Sequence, residues 1–206
     1  MEKLRVVGIG PGHRDYILPA AYKAVEDSDV LIGGRRNLET FSDFKGETLS
    51  ITRDLKSVIE YIKKNRHDKK IAIILSGDTG FYSMLNYLSN YFTKDEMEVI
   101  PGITSLQYLY GKIKETWQGS PLMSLHGREE DFIEKLKKHK KVGLLTDTIN
   151  TPEEIARTLI NSHLENVTMI VGENLSYPEE RIIEGRPEEI IKKGPYKMTV
   201  VVIKHE

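Results

Sequence analysis

Three glycine-containing turns, each placed directly after an apolar run, hold the residue types best suited to ligand chemistry. The first is Gly8-Ile9-Gly10-Pro11-Gly12, after residues 4–7. The second is Ser76-Gly77-Asp78-Thr79-Gly80, which follows residues 71–75 and leads into Phe81-Tyr82-Ser83. The third is Pro101-Gly102-Ile103-Thr104-Ser105, after residues 97–100. Glycine lets a backbone come close to a flat ligand. Asp78 supplies an acceptor for a ribose hydroxyl or an ammonium group; alternatively it caps a helix beginning near Phe81. Thr104 and Ser105 place two hydroxyls at a helix start, where capping is the alternative to ligand contact. A further cluster, Gly33-Gly34-Arg35-Arg36, follows residues 30–32. Its guanidinium forks suit a polycarboxylate, the alternative being a surface turn with solvated charges. In open α/β sheets such turns collect at the carboxyl ends of strands, so the pattern predicts one crevice for a nucleotide-like cofactor and a substrate.

Several chemistries fit less well. The first turn lacks the third glycine of a dinucleotide fingerprint, because His13 and Arg14 follow Gly12. Pro11 removes a backbone donor where a pyrophosphate needs one. No acid for a ribose follows residues 30–32, where Gly33 to Arg36 stand. An NAD-dependent oxidoreductase is therefore a weakly supported alternative, and a non-catalytic nucleotide-binding module is another. The second turn is no Walker loop, since no Gly-Lys-Ser/Thr follows. Cysteine is absent, which removes thiolate metal sites and a cysteine nucleophile. No HExxH or paired histidine spacing occurs, so no metal site of the protein's own is expected. His126 follows a strand and precedes Gly127-Arg128, which turns it toward the crevice; His67, His139, His163 and His205 read as surface residues. A net charge of -1 gives no basic excess for nucleic acid, and the basic run 135–141 reads as a solvated helix face. No apolar run approaches the roughly 20 residues of a membrane span. The start of the chain carries no charged and apolar leader, so no signal peptide is expected.

The elements that position these residues alternate strand and helix. Strands are expected at 4–7, 30–32, 71–75, 97–100, 122–125, 141–145, 167–171 and 198–203. Helices are expected at 19–26, 55–65, 82–91, 105–112, 131–138 and 152–161. Thr151-Pro152-Glu153-Glu154 is a strong helix start: a capping hydroxyl, proline at the first position, then acids on the positive end of the dipole. The alternation predicts an α/β fold with mostly parallel sheets. Residues 115–121 (ETWQGSP) break the pattern and read as a join. The expected division is an N-terminal α/β domain at 1–115, a linker at 116–121 and a C-terminal α/β domain at 122–206. Residues 181–185 and 198–203 are expected to be adjacent strands, with antiparallel pairing one option, joined by a short helix at 187–192.

Together the turns resemble the tetrapyrrole methylases, the S-adenosylmethionine-dependent enzymes of the cobalamin and sirohaem pathways. Gly8-x-Gly10-Pro11-Gly12 matches the first family signature, the Gly77-Asp78 turn the second, and Pro101 to Ser105 the third. Most members have proline where Thr79 stands. Two details, Ile32-Gly33-Gly34-Arg35-Arg36-Asn37-Leu38 and the aromatic pair Phe81-Tyr82, resemble the branch that methylates C5 of cobalt-precorrin-7 in the anaerobic pathway. The resemblance implies two α/β domains with the active site in the cleft between them, and a cytoplasmic homodimer. It implies cofactor contacts at Pro11, Ser76, Gly77, Asp78, Phe81, Thr104 and Ser105, with Leu145 and Leu175 added by position. Substrate contacts are expected at Gly10, Gly33, Gly34, Arg35, Arg36, Tyr82 and His126, with His13, Arg14 and Arg128 as lesser candidates. Positioning rather than a nucleophilic side chain would drive the reaction, His126 being the one candidate to take a proton. Cobalt would arrive with the corrinoid substrate. A separate C15-methylating, decarboxylating enzyme would act in the same pathway. Methylation of another ring position, a diphthine synthase and a ribosomal RNA methyltransferase are the alternatives within the family.

Overall fold

A computed structural model describes residues 2–127 and 130–205. The chain forms two compact units, Met1–Thr104 and Ser105–Glu206.

The first unit is a five-stranded parallel sheet of β1 (Leu4–Gly8), β2 (Val30–Gly33), β3 (Glu47–Ser50), β4 (Ile71–Leu75) and β5 (Met97–Ile100), in the order β3-β2-β4-β1-β5. Its helices are α1 (Pro19–Glu26), α2 (Arg35–Thr40), α3 (Leu55–Asn65) and α4 (Leu85–Leu88). The two-residue period of a strand sorts its side chains onto two faces. Ile71, Ile73 and Leu75 of β4 join Val58, Ile59 and Ile62 of α3, with Leu88 and Phe92, in one core. Ala72 and Ile74 join Ala21, Ala24 and Val25 of α1, with Leu31 and Phe41, in the other. Burial on both faces explains why β4 reads as an unbroken apolar run. Asp54 starts α3 by accepting the Ser57 N–H at 3.2 Å, and Lys63 and Lys64 complement the dipole at its end.

Three elements depart from the sequence-based expectation. β3 is an exposed edge strand with no apolar run to mark it. Arg35 and Arg36 open α2 rather than sitting in a loop, with Gly34 as the N-cap. The helix expected at 82–91 shrinks to Leu85–Leu88, because Tyr82 lies at φ 48°, outside the right-handed helical region.

The second unit holds β6 (Leu122–Ser124), β7 (Lys141–Leu145), β8 (Thr168–Glu173), β9 (Arg181–Gly185) and β10 (Thr199–Lys204), in the order β6-β7-β10-β8-β9. Its helices are α5 (Ser105–Lys112), α6 (Phe132–His139), α7 (Pro152–Asn161) and α8 (Pro187–Lys193). Only β6 and β7 pair in parallel; the other neighbours are antiparallel, so this sheet is not mostly parallel. β9 and β10 are not adjacent either, since β8 runs between them and pairs with both. The buried run Val200 to Ile203 suits a central strand, and the more exposed β9 suits the edge.

The division between units falls ahead of α5 rather than near residue 115. Leu106 and Leu109 of α5 pack onto Gly143 of β7 and Gly172 of β8, where added Cβ atoms would stand 3.3 and 3.1 Å from them. The ETWQGSP segment is likewise fastened to this unit. Glu115 pairs with Lys204 at 2.8 Å and Lys141 at 3.3 Å, Lys141 donates to Thr116 O at 2.7 Å, and Gly143 N donates to Pro121 O at 2.9 Å. Its turn residues connect α5 to β6.

Candidate active site

In the first unit the chain leaves β1 toward β2 and leaves β4 toward β5, on the opposite side. The carboxyl ends of β1 and β4 therefore flank a topological switch point, the usual place for a ligand in such a sheet. Here the turns are joined through main chain. Ile9 N donates to Leu75 O at 3.0 Å; beyond it Gly10 N donates to Gly77 O at 3.2 Å and Gly77 N returns to Gly10 O at 2.8 Å. The third turn closes on both. A Cβ on Gly102 would stand 2.1 Å from Gly77 O and 2.9 Å from Gly8 C, and one on Gly8 would stand 2.7 Å from Gly102 N. Glycine at these positions is a condition of the approach, not only of turning.

Asp78 laces the second turn to the third. Its Oδ1 accepts the Gly80 N–H at 2.8 Å and its Oδ2 accepts the Gly102 N–H at 3.0 Å. No helix starts at Phe81, so the carboxylate is a turn and inter-turn brace rather than a helix cap. Each oxygen retains a lone pair for a ligand hydroxyl. Gly77 lies at φ 70°, and a Cβ there would meet nothing nearer than Thr104 Cα at 3.8 Å. The second turn thus packs at contact distance against the buried Thr104 of the third. Phe81 and Tyr82 follow with rings edge to face, 5.0 Å apart. Pro11 continues the first turn, half-buried.

The guanidinium candidates divide. Ser76 Oγ donates to Asn37 Oδ1 at 2.8 Å and accepts from Arg36 Nη2 at 3.4 Å, which draws Arg36 to the second turn. Arg35 instead pairs along α2 with Glu39 at 3.2 Å, its side chain 90% exposed. Gly33 is buried, and a Cβ there would reach Ile74 Cγ1 at 2.6 Å, so packing alone requires it. Arg14 is bonded to Thr40 O at 2.6 Å and Asp43 at 3.3 Å, and the His13 ring accepts the Asp15 N–H at 3.3 Å. Asn37 was not singled out by its sequence context, because only the fold sets its amide against Ser76.

In the second unit, β7 ends at Leu145, whose carbonyl accepts the Leu125 N–H at 2.9 Å. His126 is exposed, with Nδ1 3.4 Å from Thr146 O. Asp147 organises this end: it accepts N–H groups of Gly127 at 2.9 Å, Asn150 at 2.6 Å and Ile149 at 2.8 Å. The Gly127 and Asn150 donors lead in holding its carboxyl down from 3.8 to about 2, against the opposing effect of burial. A cavity of about 670 Å³ opens here, lined by Leu125, Gly127, Phe132, Asp147 and Asn150. Leu175 is buried, its side chain packed onto Gly172. Arg128 lies outside the described residues. Among the described residues no group of three or more His, Asp or Glu could hold a metal ion, and no helix is long and apolar enough to cross a membrane.

The model of the family "Tetrapyrrole (Corrin/Porphyrin) Methylases" matches residues 3–191. The chain belongs to that family. It is 37% identical over 203 residues to a cobalt-precorrin-7 C(5)-methyltransferase of Salmonella typhimurium, covering 98% of this chain and 99% of the relative. It is 35% identical over 204 residues to a probable cobalt-precorrin-7 C(5)-methyltransferase of Methanocaldococcus jannaschii, covering 96% and 95%. Among solved structures, the fold matches a precorrin-6Y methylase from Archaeoglobus fulgidus (TM-score 0.76, 21% identity, 99% and 98% covered). It also matches a uroporphyrin-III C-methyltransferase from Thermus thermophilus complexed with S-adenosylhomocysteine (TM-score 0.80, 17% identity, 98% and 97% covered).

Proposed function

We propose that this chain is an S-adenosylmethionine-dependent C-methyltransferase that acts at C5 of cobalt-precorrin-7 in anaerobic cobalamin biosynthesis. The observation that carries the reading is identity of 35–37% along nearly the whole length of relatives named for that reaction. S-adenosylmethionine supplies an electrophilic methyl on a sulfonium, and the electron-rich C5 of the ring is the nucleophile. The chain's task is to bring the two into line, which can contribute roughly 7–11 kcal/mol. No nucleophilic side chain is required. Gly10 and Gly77 fix the turns through their paired main-chain bonds. Pro11, Ser76, Asp78, Phe81, Thr104 and Ser105 are the methyl donor's proposed contacts, with Leu145 and Leu175 from the second unit. Arg36, steered by Ser76, is the leading partner for a substrate carboxylate; Arg35, Gly34, Tyr82 and His126 follow. Gly33 is assigned to packing.

Cobalt enters with the substrate. C15 methylation and decarboxylation fall to a separate enzyme, which accords with relatives that match end to end and bear only the C5 activity in their names. A homodimer in the cytoplasm completes the proposal, on family resemblance. Calorimetric titration with S-adenosylhomocysteine and, separately, NAD tests the cofactor assignment. Binding of the first with a Kd on the order of micromolar, and none of the second, is expected. Binding of NAD alone would overturn the assignment.

A further inference from the structure

The turn that leaves β8 is held in a conformation its residues disfavour. Asn174 and Ser176 both lie in the left-handed region, at φ 46° and 69°, on either side of Leu175. Asparagine tolerates that region; serine does so less readily, and a turn that only reversed the chain would relax with glycine there. Such residues persist where their surroundings over-determine them, and they cluster at ligand clamps.

Two carboxylates do the fixing. At the entry, buried Glu173 accepts from Arg181 Nε at 2.7 Å and from Lys197 N at 2.7 Å, while Asn174 N donates to Met198 O at 3.1 Å. At the exit, Glu180 Oε2 accepts the Ser176 N–H at 2.7 Å and the Tyr108 hydroxyl at 2.7 Å, and Oε1 pairs with Lys112 Nζ at 2.8 Å. The Glu180 side chain is only 17% exposed. Burial works to raise its pKa, but Lys112, Tyr108 and the Ser176 N–H outweigh burial and hold it below the ordinary carboxylate value. Tyr108 and Lys112 are one helical turn apart on α5, the helix that opens at Ser105. A single carboxylate thus ties α5 to the turn after β8. The Leu175 side chain is committed to Gly172, beside Leu109 of α5. With the N–H groups of Asn174 and Ser176 given to Met198 O and Glu180, and its own side chain committed, Leu175 would meet a ligand through its main chain.

We propose that Glu180 is a positioning residue for the methyl donor, holding Ser176, and with it the left-handed pair that flanks Leu175, so that the Leu175 main chain is presented to the donor in fixed register with the start of α5. This rests on the reading above that the turn carrying Leu175 meets the donor. Glu180 touches no reacting atom; it acts through Ser176.

The test compares Glu180→Ala and Glu180→Gln with the unaltered protein, well below the unfolding midpoint. S-adenosylhomocysteine affinity is read by calorimetry, and amide hydrogen exchange is read at Ser176. Glu180→Ala is expected to weaken binding about tenfold and to speed exchange at Ser176. Glu180→Gln keeps an oxygen for the Ser176 N–H and is expected to recover most of the affinity. If Glu180→Ala does not fold, the double variant Tyr108→Phe/Lys112→Met replaces it, with about threefold weaker binding expected. Faster exchange at Ser176 with unchanged affinity, in Glu180→Ala or the double variant, would overturn the proposal and leave the carboxylate a purely structural brace. Failure of the unaltered protein to bind S-adenosylhomocysteine would instead overturn the cofactor assignment, and this proposal with it.

Discussion

Gly102→Ala is the sharpest perturbation of the three-turn cluster. The added Cβ would stand 2.1 Å from Gly77 O, where ordinary contact begins near 3.4 Å. The obstacle is backbone that is itself bonded to Gly10, so no side chain can swing aside. The third turn must withdraw by about 1 Å to restore contact distance. That withdrawal stretches the Gly102 N to Asp78 Oδ2 bond, now 3.0 Å, beyond hydrogen-bonding range. Overpacking costs about 1–3 kcal/mol and the lost bond to a carboxylate about 1.5–3 kcal/mol, so the expected destabilisation is about 4 kcal/mol. Denaturant unfolding measures it directly, and calorimetry with S-adenosylhomocysteine should show at least about tenfold weaker binding. Gly111→Ala in α5 is the control. A Cβ there meets nothing within 4 Å, and an exposed helical glycine changed to alanine should stabilise by about 0.5–1 kcal/mol. Stability of Gly102→Ala within about 0.5 kcal/mol of the parent, with unchanged affinity, would refute the argument that main-chain closure builds this site.

Asp78→Ala removes the acceptor of two backbone N–H groups and should cost about 1–3 kcal/mol in unfolding free energy, together with donor affinity. Unaltered values in both measurements would leave Asp78 with no role. Arg36→Ala should raise the KM for the corrinoid about tenfold without changing S-adenosylhomocysteine affinity. Arg35→Ala, whose exposed pair with Glu39 is worth under about 1 kcal/mol, should do much less; equal effects would contradict the division between the two arginines. Asp147 has a folded pKa of about 2, below its ordinary 3.8, so its stabilising contribution is complete above 3.8 and is lost as pH falls through about 2. Asp147→Asn should therefore flatten the acid limb of a plot of unfolding midpoint against pH in that window, and an identical limb would show that the charge of Asp147 is not its source.

The turns were legible in the sequence because glycine clusters follow apolar runs, and α7 because the Thr151 cap, Pro152 and the acids Glu153 and Glu154 agree on one helix start. What escaped depends on partners distant in sequence. β3 has no apolar run because it lies at an exposed edge. α2 was hidden because Gly33 and Gly34 read as a loop, although Gly33 answers to Ile74. Asp78 looked like a cap or a ribose ligand; its partner Gly102 belongs to another turn, and no local spacing could reveal it. The order of β8, β9 and β10 also eluded the linear pattern, since β8 lies between two strands that both follow it in the chain. The division between units was displaced because Trp117, Gly119 and Pro121 signal a turn equally well within a unit as between units.

The most direct test of the proposed activity is incubation of the purified protein with cobalt-precorrin-7 and S-adenosylmethionine carrying a carbon-13 methyl group, followed by carbon-13 NMR of the product. A single labelled methyl on C5, with stoichiometric S-adenosylhomocysteine, is the predicted result. Label on another ring carbon, or no transfer by protein that binds both ligands, would contradict it.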